Sequence, residues 1–181
     1  DVARVDAKAQ AMSGRHRLNH VFRTLLSEAS SVPGQQAAAR EAALQLSISL
    51  TDNTRKLPAT LFLHGPQGAG NHEMSRKIAS AMSGLGYAQL EVDLSQLRIE
   101  GEEGTIRGFE PIWTNSRAGT VTSFIYQHPK AVIIFHNMDR TLPRVLESFY
   151  EPLNTGFWTD RFGLLDESDE SSPHGKKRTP T

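Results

Sequence analysis

The chain has 181 residues, room for one medium α/β domain or for a domain with an extension. Lys plus Arg and Asp plus Glu each number 20, so no global charge directs it to nucleic acid or to a membrane surface, and neither is expected as a partner. Cysteine is absent, which excludes disulfides and thiolate metal sites, and no apolar run approaches the roughly 20 residues of a membrane-spanning helix. The hydrophobic content of 38% fits a domain with polar extensions. The chain opens at Asp1 without a charged-then-apolar leader, so a cytoplasmic protein is expected, processed or excised from a longer chain.

In chain order, residues 1–31 are expected to form a helical N-terminal extension. Leu18, Val21, Phe22, Leu25 and Leu26 recur at helical spacing, while Arg15, His16, Arg17, His20 and Arg23 supply a solvated basic face. Ser30 to Gly34 breaks this helix. A second one is expected from Gln35 to about Leu50, with Ala38, Ala42, Leu46 and Leu50 on one face. A polar loop over 51–58 leads to a strand over Thr60–His64, a glycine-rich turn, and a helix from Glu73 to Met82 that ends at Gly84-Leu85-Gly86. Tyr87 to Leu94 alternates as a strand does. Residues 95–119 are polar and glycine-punctuated, with Phe109, Ile112 and Trp113 as isolated apolar positions. A helix over Thr120–Gln127 stops at His128-Pro129. Lys130 to Phe135 is the strongest strand, a continuous apolar run of the kind found in the centre of a parallel sheet. Leu142 to Leu153 reads as a helix with Pro143 in its first turn and Gly156 beyond its end. Residues 166–181 run from acidic to basic without apolar periodicity and are expected to be a loop or disordered tail.

Strand, glycine-rich turn and helix in succession make the spacing Gly65-x-x-x-x-Gly70 a phosphate-loop pattern. In such a loop the backbone N–H groups and the helix N-terminus cradle phosphate oxygens. Gly65, Pro66, Gln67, Gly68, Ala69, Gly70, Asn71 and His72 are therefore the candidate nucleotide-binding residues. The lysine and hydroxyl residue that complete the pattern are here Asn71 and His72. An asparagine offers no charge to phosphate, and a histidine is a poor ligand for Mg²⁺. A nucleotide-hydrolysing site of this kind also needs carboxylates at the end of a second apolar strand. After Val132-Ile133-Ile134-Phe135 those positions hold His136 and Asn137, and Asp139 follows two residues on. Both places keep the apolar or glycine frame and lack the charged groups.

At this point the chain resembles the AAA+ modules of the Clp/Hsp100 unfoldases and disaggregases, over about residues 32–161. Val32-Pro33-Gly34-Gln35 is similar to the family's V-x-G-Q box near the adenine, which adds Val32 and Pro33 to the candidate binding residues. Leu61 to Gly70 is similar to its Walker A segment, Glu91-Val92-Asp93-Leu94-Ser95 to R-x-D-M-S, Gly119 to Pro129 to the helix before Walker B, and Glu147 to Asp160 to a helix and turn reading L-L-Q-x-L-D-x-G-x-L-T-D. The resemblance implies a three-layer P-loop NTPase fold with a parallel central sheet over residues 32–165, truncated before the sensor strand, arginine finger and helical lid. It also implies a ring of AAA+ neighbours or of copies of the chain, and a polypeptide substrate gripped by an aromatic pore loop near Gly108-Phe109.

Three functional expectations follow. The first is a pseudo-ATPase in a structural or regulatory role, with weak or absent ATP or ADP binding and no dependable Mg²⁺ site. The second is a working chaperone or unfoldase ATPase in which Lys77, Arg76 or a neighbouring subunit supplies charge and Asp93 or Asp139 the metal ligand. The third places His64, His72 and His136 together around a transition metal; without close motif spacing no metal ligand is assigned.

Overall fold

A computed structural model describes residues 2–52, 54–99, 101–109, 117–162 and 177–178. The chain divides into two units, Asp1–Arg55 with Ala59–Gly86, and Lys56–Pro58 with Tyr87–Thr181.

The first unit is helical. Helix α1 runs Val2–Ala29 and α2 runs Gln36–Thr51, joined by a short turn in which Gly34 takes a φ of 72°. Val21, Leu25 and Ala29, spaced four apart, form the buried stripe of α1. In α2 the buried stripe is Ala39, Ala42, Ala43, Leu46 and Ser47, so Ala38 faces outward. Small residues dominate that stripe because α1 packs against it. Helix α3, Asn71–Gly84, also packs on α1, burying Met74, Ile78, Ala79, Ala81 and Met82. It ends as its glycines require: Gly86 at φ 88° lets its N–H reach Ser83 O at 3.0 Å.

The second unit is built on two parallel strands, β1 (Ala88–Asp93) and β2 (Ala131–His136), in register from Ala88↔Ala131 to Asp93↔His136. The crossover between them carries α4 (Gly104–Arg107) and α5 (Thr120–Gln127). After β2 come α6 (Pro143–Glu147), α7 (Tyr150–Thr155) and a two-residue strand β3 (Trp158–Thr159). Lys177–Arg178, within the tail, form β4 antiparallel to β3. One face of the sheet meets a core of Leu94, Leu97, Ile106, Val121, Val145, Phe149 and Trp158. Phe135 of β2 is set edge-on to Phe149, with ring centres 4.6 Å apart.

Two expectations are corrected and a third is met in part. The strand over Thr60–His64 forms no ladder among the described residues, although burial still alternates, with Leu61 and Leu63 partly covered and Phe62 71% exposed. Apolar alternation makes a segment extended; a strand also needs a partner for its backbone groups. The parallel sheet observed among the described residues has two strands, β1 and β2, a smaller sheet than the three-layer reading implies. The helix over 142–153 is broken into α6 and α7 at Ser148 and Phe149. Pro152 lacks the N–H that a continuous helix would direct at Ser148 O, and the chain turns there.

Candidate functional site

In the first unit the glycine-rich loop is held from one side by the residues that precede α2. Gly70 caps α3 with a φ of 88°, and Gly68 takes 84°, both in the region that favours glycine. A Cβ on Gly70 would stand 3.2 Å from Val32 Cγ1, so the buried Val32 packs directly on the loop's last glycine. Gln35 Nε2 donates to Ala69 O at 2.7 Å. The loop closes with Ala69 N–H on Pro66 O at 3.1 Å, and α3 begins with Met74 N–H on Gly70 O at 2.8 Å. Val32 and Gln35 thus lie against the end of the loop, and Pro33 between them is exposed. Pro66, Gln67, Gly68 and His72 are exposed, and Gly65, Ala69, Gly70 and Asn71 are partly covered.

Two glycines of the loop, Gly68 and Gly70, take positive φ, and α3 begins directly after them. The first helical position carries the neutral Asn71, and Arg76 and Lys77 lie further along α3.

In the second unit the strand ends converge. Asn137, at φ 57°, is the non-glycine residue with positive φ among the described residues, a conformation asparagine tolerates well. That turn directs its amide to Asp93, where Nδ2 donates to Oδ1 at 2.8 Å. Oδ1 also accepts from Ser95 N–H at 3.0 Å and Ser95 Oγ at 2.7 Å. These hydrogen bonds, the one from Asn137 first, hold the Asp93 carboxyl at about 2, below its ordinary 3.8. His136 Nε2 lies 3.2 Å from Glu91 Oε2, with the imidazole largely covered. Glu91 and Asp93 share a face of β1, and His136 and Asn137 each meet one of them. Asp139 stands apart, its side chain 80% exposed and 3.8 Å from Arg140.

The pore-loop candidate is packed within its own unit. A Cβ on Gly104 would come within 2.7 Å of three Phe109 ring atoms, so the ring covers that glycine. The Arg117 guanidinium lies 5.2 Å from the ring centre. Trp113 lies outside the described residues. Nearby, Arg107 pairs with Glu151 and donates to Thr159 O at 3.2 Å, while the buried Asp160 accepts from Thr122 Oγ1 at 2.9 Å. This network uses residues of the Glu147–Asp160 stretch and anchors it to the turn before Phe109.

Sequence reasoning named Asp93, Asn137 and His136 separately and missed their pairing with one another and with Glu91. The signal available was positional: two parallel strands ending at Asp93 and His136 bring a carboxylate and an amide to the same edge. It also missed the Gln35–Ala69 bond. Among the described residues no group of three His, Cys, Asp or Glu is gathered to hold a metal ion. No described helix is long and apolar enough to cross a membrane.

The glycine loop of the first unit runs into a helix and the second unit holds a small parallel strand pair, a mixture of helix and strand compatible with an α/β fold. The chain is, more particularly, a distant homologue of Clp proteins. It is 30% identical over 127 residues to the chaperone protein ClpB of Aquifex aeolicus, covering 70% of this chain and 12% of that protein. It is 29% identical over 115 residues to the ATP-dependent Clp protease ATP-binding subunit ClpC of Staphylococcus epidermidis, and equally to that of Staphylococcus aureus strain USA300, covering 63% of this chain and 14% of each relative. The chain therefore spans a small part of the relatives it matches. No protein-family profile matches it.

Proposed function

We propose that this chain is a Clp/Hsp100-like AAA+ module acting as a pseudo-ATPase in a structural or regulatory role within a protein-remodelling assembly. Residues 32–165 form its three-layer P-loop NTPase core, 1–31 a helical extension and 166–181 a polar tail. In this reading it works in the cytoplasm, beside AAA+ neighbours or copies of itself in a ring. ATP or ADP is held weakly through the backbone amides of residues 65–70, next to Val32 and Pro33, and Mg²⁺ is not retained.

The observation that carries the reading is the fate of the end of β2. His136 and Asn137 stand where such an ATPase needs carboxylates, and both are engaged with the carboxylates of β1. Asn71 at the start of α3 removes the cation at the other motif. Stabilising charge on the transferring phosphoryl group is nearly all of this catalysis, so hydrolysis falls by orders of magnitude without those groups. Distant homology to ClpB and ClpC supports the AAA+ part of the proposal.

Steady-state ATP hydrolysis by the purified chain tests it. Turnover indistinguishable from background is expected; turnover comparable to an active Clp ATPase assayed alongside rejects it. One observation favours a second reading, a working ATPase with substitute residues: Asp93 stays ionised at the strand edge. In that case Lys77→Ala abolishes a measurable turnover.

A further inference from the structure

We propose that the Asn71 side chain closes the glycine-rich loop from within, so that a polyphosphate anion enters only when this side chain moves aside. The inference rests on reading residues 65–72 as a degenerate phosphate loop. A Cβ on Gly65 would lie 3.2 Å from Ala69 Cβ, 3.3 Å from Asn71 Oδ1 and 3.4 Å from Asn71 Nδ2. The two amide heteroatoms are nearly equidistant from that point, so the carboxamide lies across Gly65 and not end-on to it. Gly65 has no positive φ, and a Cβ there would crowd Ala69 Cβ first and the Asn71 amide next. The amide therefore spans the loop from its last arm to its first.

The far end of the loop is held by two neighbours. Val32 packs on Gly70, and Gln35 holds the Ala69 carbonyl. An incoming anion and the Asn71 amide thus compete for one space, and rotation of the Asn71 side chain is the adjustment that resolves it. A lysine at this position reaches past the loop and carries its charge to the anion; the short asparagine ends inside it. Loss of charge and steric closure are then two separate effects of one residue.

Calorimetric titration of the full chain with inorganic tripolyphosphate, without Mg²⁺, separates them. Asn71→Ala removes the amide; Asn71→Leu keeps its approximate volume without a hydrogen-bonding group. If the closed arrangement dominates the free protein, Asn71→Ala binds tripolyphosphate about fivefold more tightly than the unsubstituted chain, as expected when a competing closed state is removed. Asn71→Leu binds no better than the unsubstituted chain. Equal or weaker binding by Asn71→Ala overturns the proposal, as does Asn71→Leu matching Asn71→Ala. Failure of both the unsubstituted chain and Asn71→Ala to bind at millimolar concentration overturns it too. Asn71→Ser serves as a second small variant should Asn71→Ala lose its helical circular dichroism. The parent function is judged apart from this: ATP turnover by the unsubstituted chain rejects the pseudo-ATPase, whereas the ranking of the variants judges only closure.

Discussion

Asn137 and Asp93 join the ends of two parallel strands through one hydrogen bond of 2.8 Å, made from a left-handed backbone turn to an ionised carboxylate. Asn137 braces the two strand ends. The consequence for stability has a definite sign. A carboxyl whose folded value lies below its unfolded one contributes stability above the unfolded value, and that contribution disappears as pH falls through the folded one. For Asp93 the window runs from 3.8 down to about 2. Asn137→Ala is expected to cost about 1 kcal/mol at pH 7, allowing for partial solvent screening of the pair. Urea denaturation at pH 7 and again near pH 2 checks this: the gap between the two proteins should narrow at the acid end. A gap independent of pH would mean that the amide acts through packing and not through the carboxylate.

Asn137→Asp tests the same contact with opposite charge logic. It sets a second carboxylate beside Asp93 without removing volume, so one of the two must stay protonated or the ends must separate. The variant is expected to be less stable than Asn137→Ala at pH 7 and to recover part of the difference as pH falls. If Asn137→Asp matched the unsubstituted chain at neutral pH, the strand ends would have to be looser than the 2.8 Å contact allows.

The glycine-rich loop predicts a cost at its last residue. Gly70→Ala forces alanine to φ 88° and sets its Cβ 3.2 Å from Val32 Cγ1. A loss of about 1–2 kcal/mol is expected, most of it from the backbone. Val32→Ala removes only the packing partner. In combination, Gly70→Ala should cost less on the Val32→Ala background than alone, and melting temperatures of the four proteins form the cycle that measures it.

Phe109 separates grip from packing. Because its ring covers Gly104 and meets Arg117, Phe109→Ala is expected to destabilise the second unit by about 2 kcal/mol. Unchanged thermal stability together with lost binding of an unfolded polypeptide would instead assign the ring to substrate.

Among the described glycines of the second unit, Gly119 has the closest neighbours to an added Cβ. A Cβ there would stand 2.3 Å from both Gly108 N and Ile106 O, backbone atoms that cannot step aside. Gly119→Ala is expected to cost more than about 4 kcal/mol, in the range where a domain of this size loses its fold. Soluble expression with a native-like melting curve would contradict the packing described for that turn.

The sequence by itself determined the local elements. Helical spacing located α2, α3 and α5 to within a residue or two, and the apolar run located β2, because periodicity and turn residues act over a few neighbours. It also determined that Asn71 and His72 follow the glycine-rich loop and that His136 and Asn137 close and follow β2, since that is a matter of identity alone. Pro152 was visible, yet its effect on the helix over 142–153 depended on where the preceding carbonyl pointed. Tertiary structure decided the rest. Whether Thr60–His64 enters a ladder, which face of β1 meets His136 and Asn137, and where the Asn71 amide comes to lie all depend on groups distant in the chain. Hydrogen bonds and close contacts of that kind are set by strand register and packing, and neither can be read from a residue and its sequence neighbours.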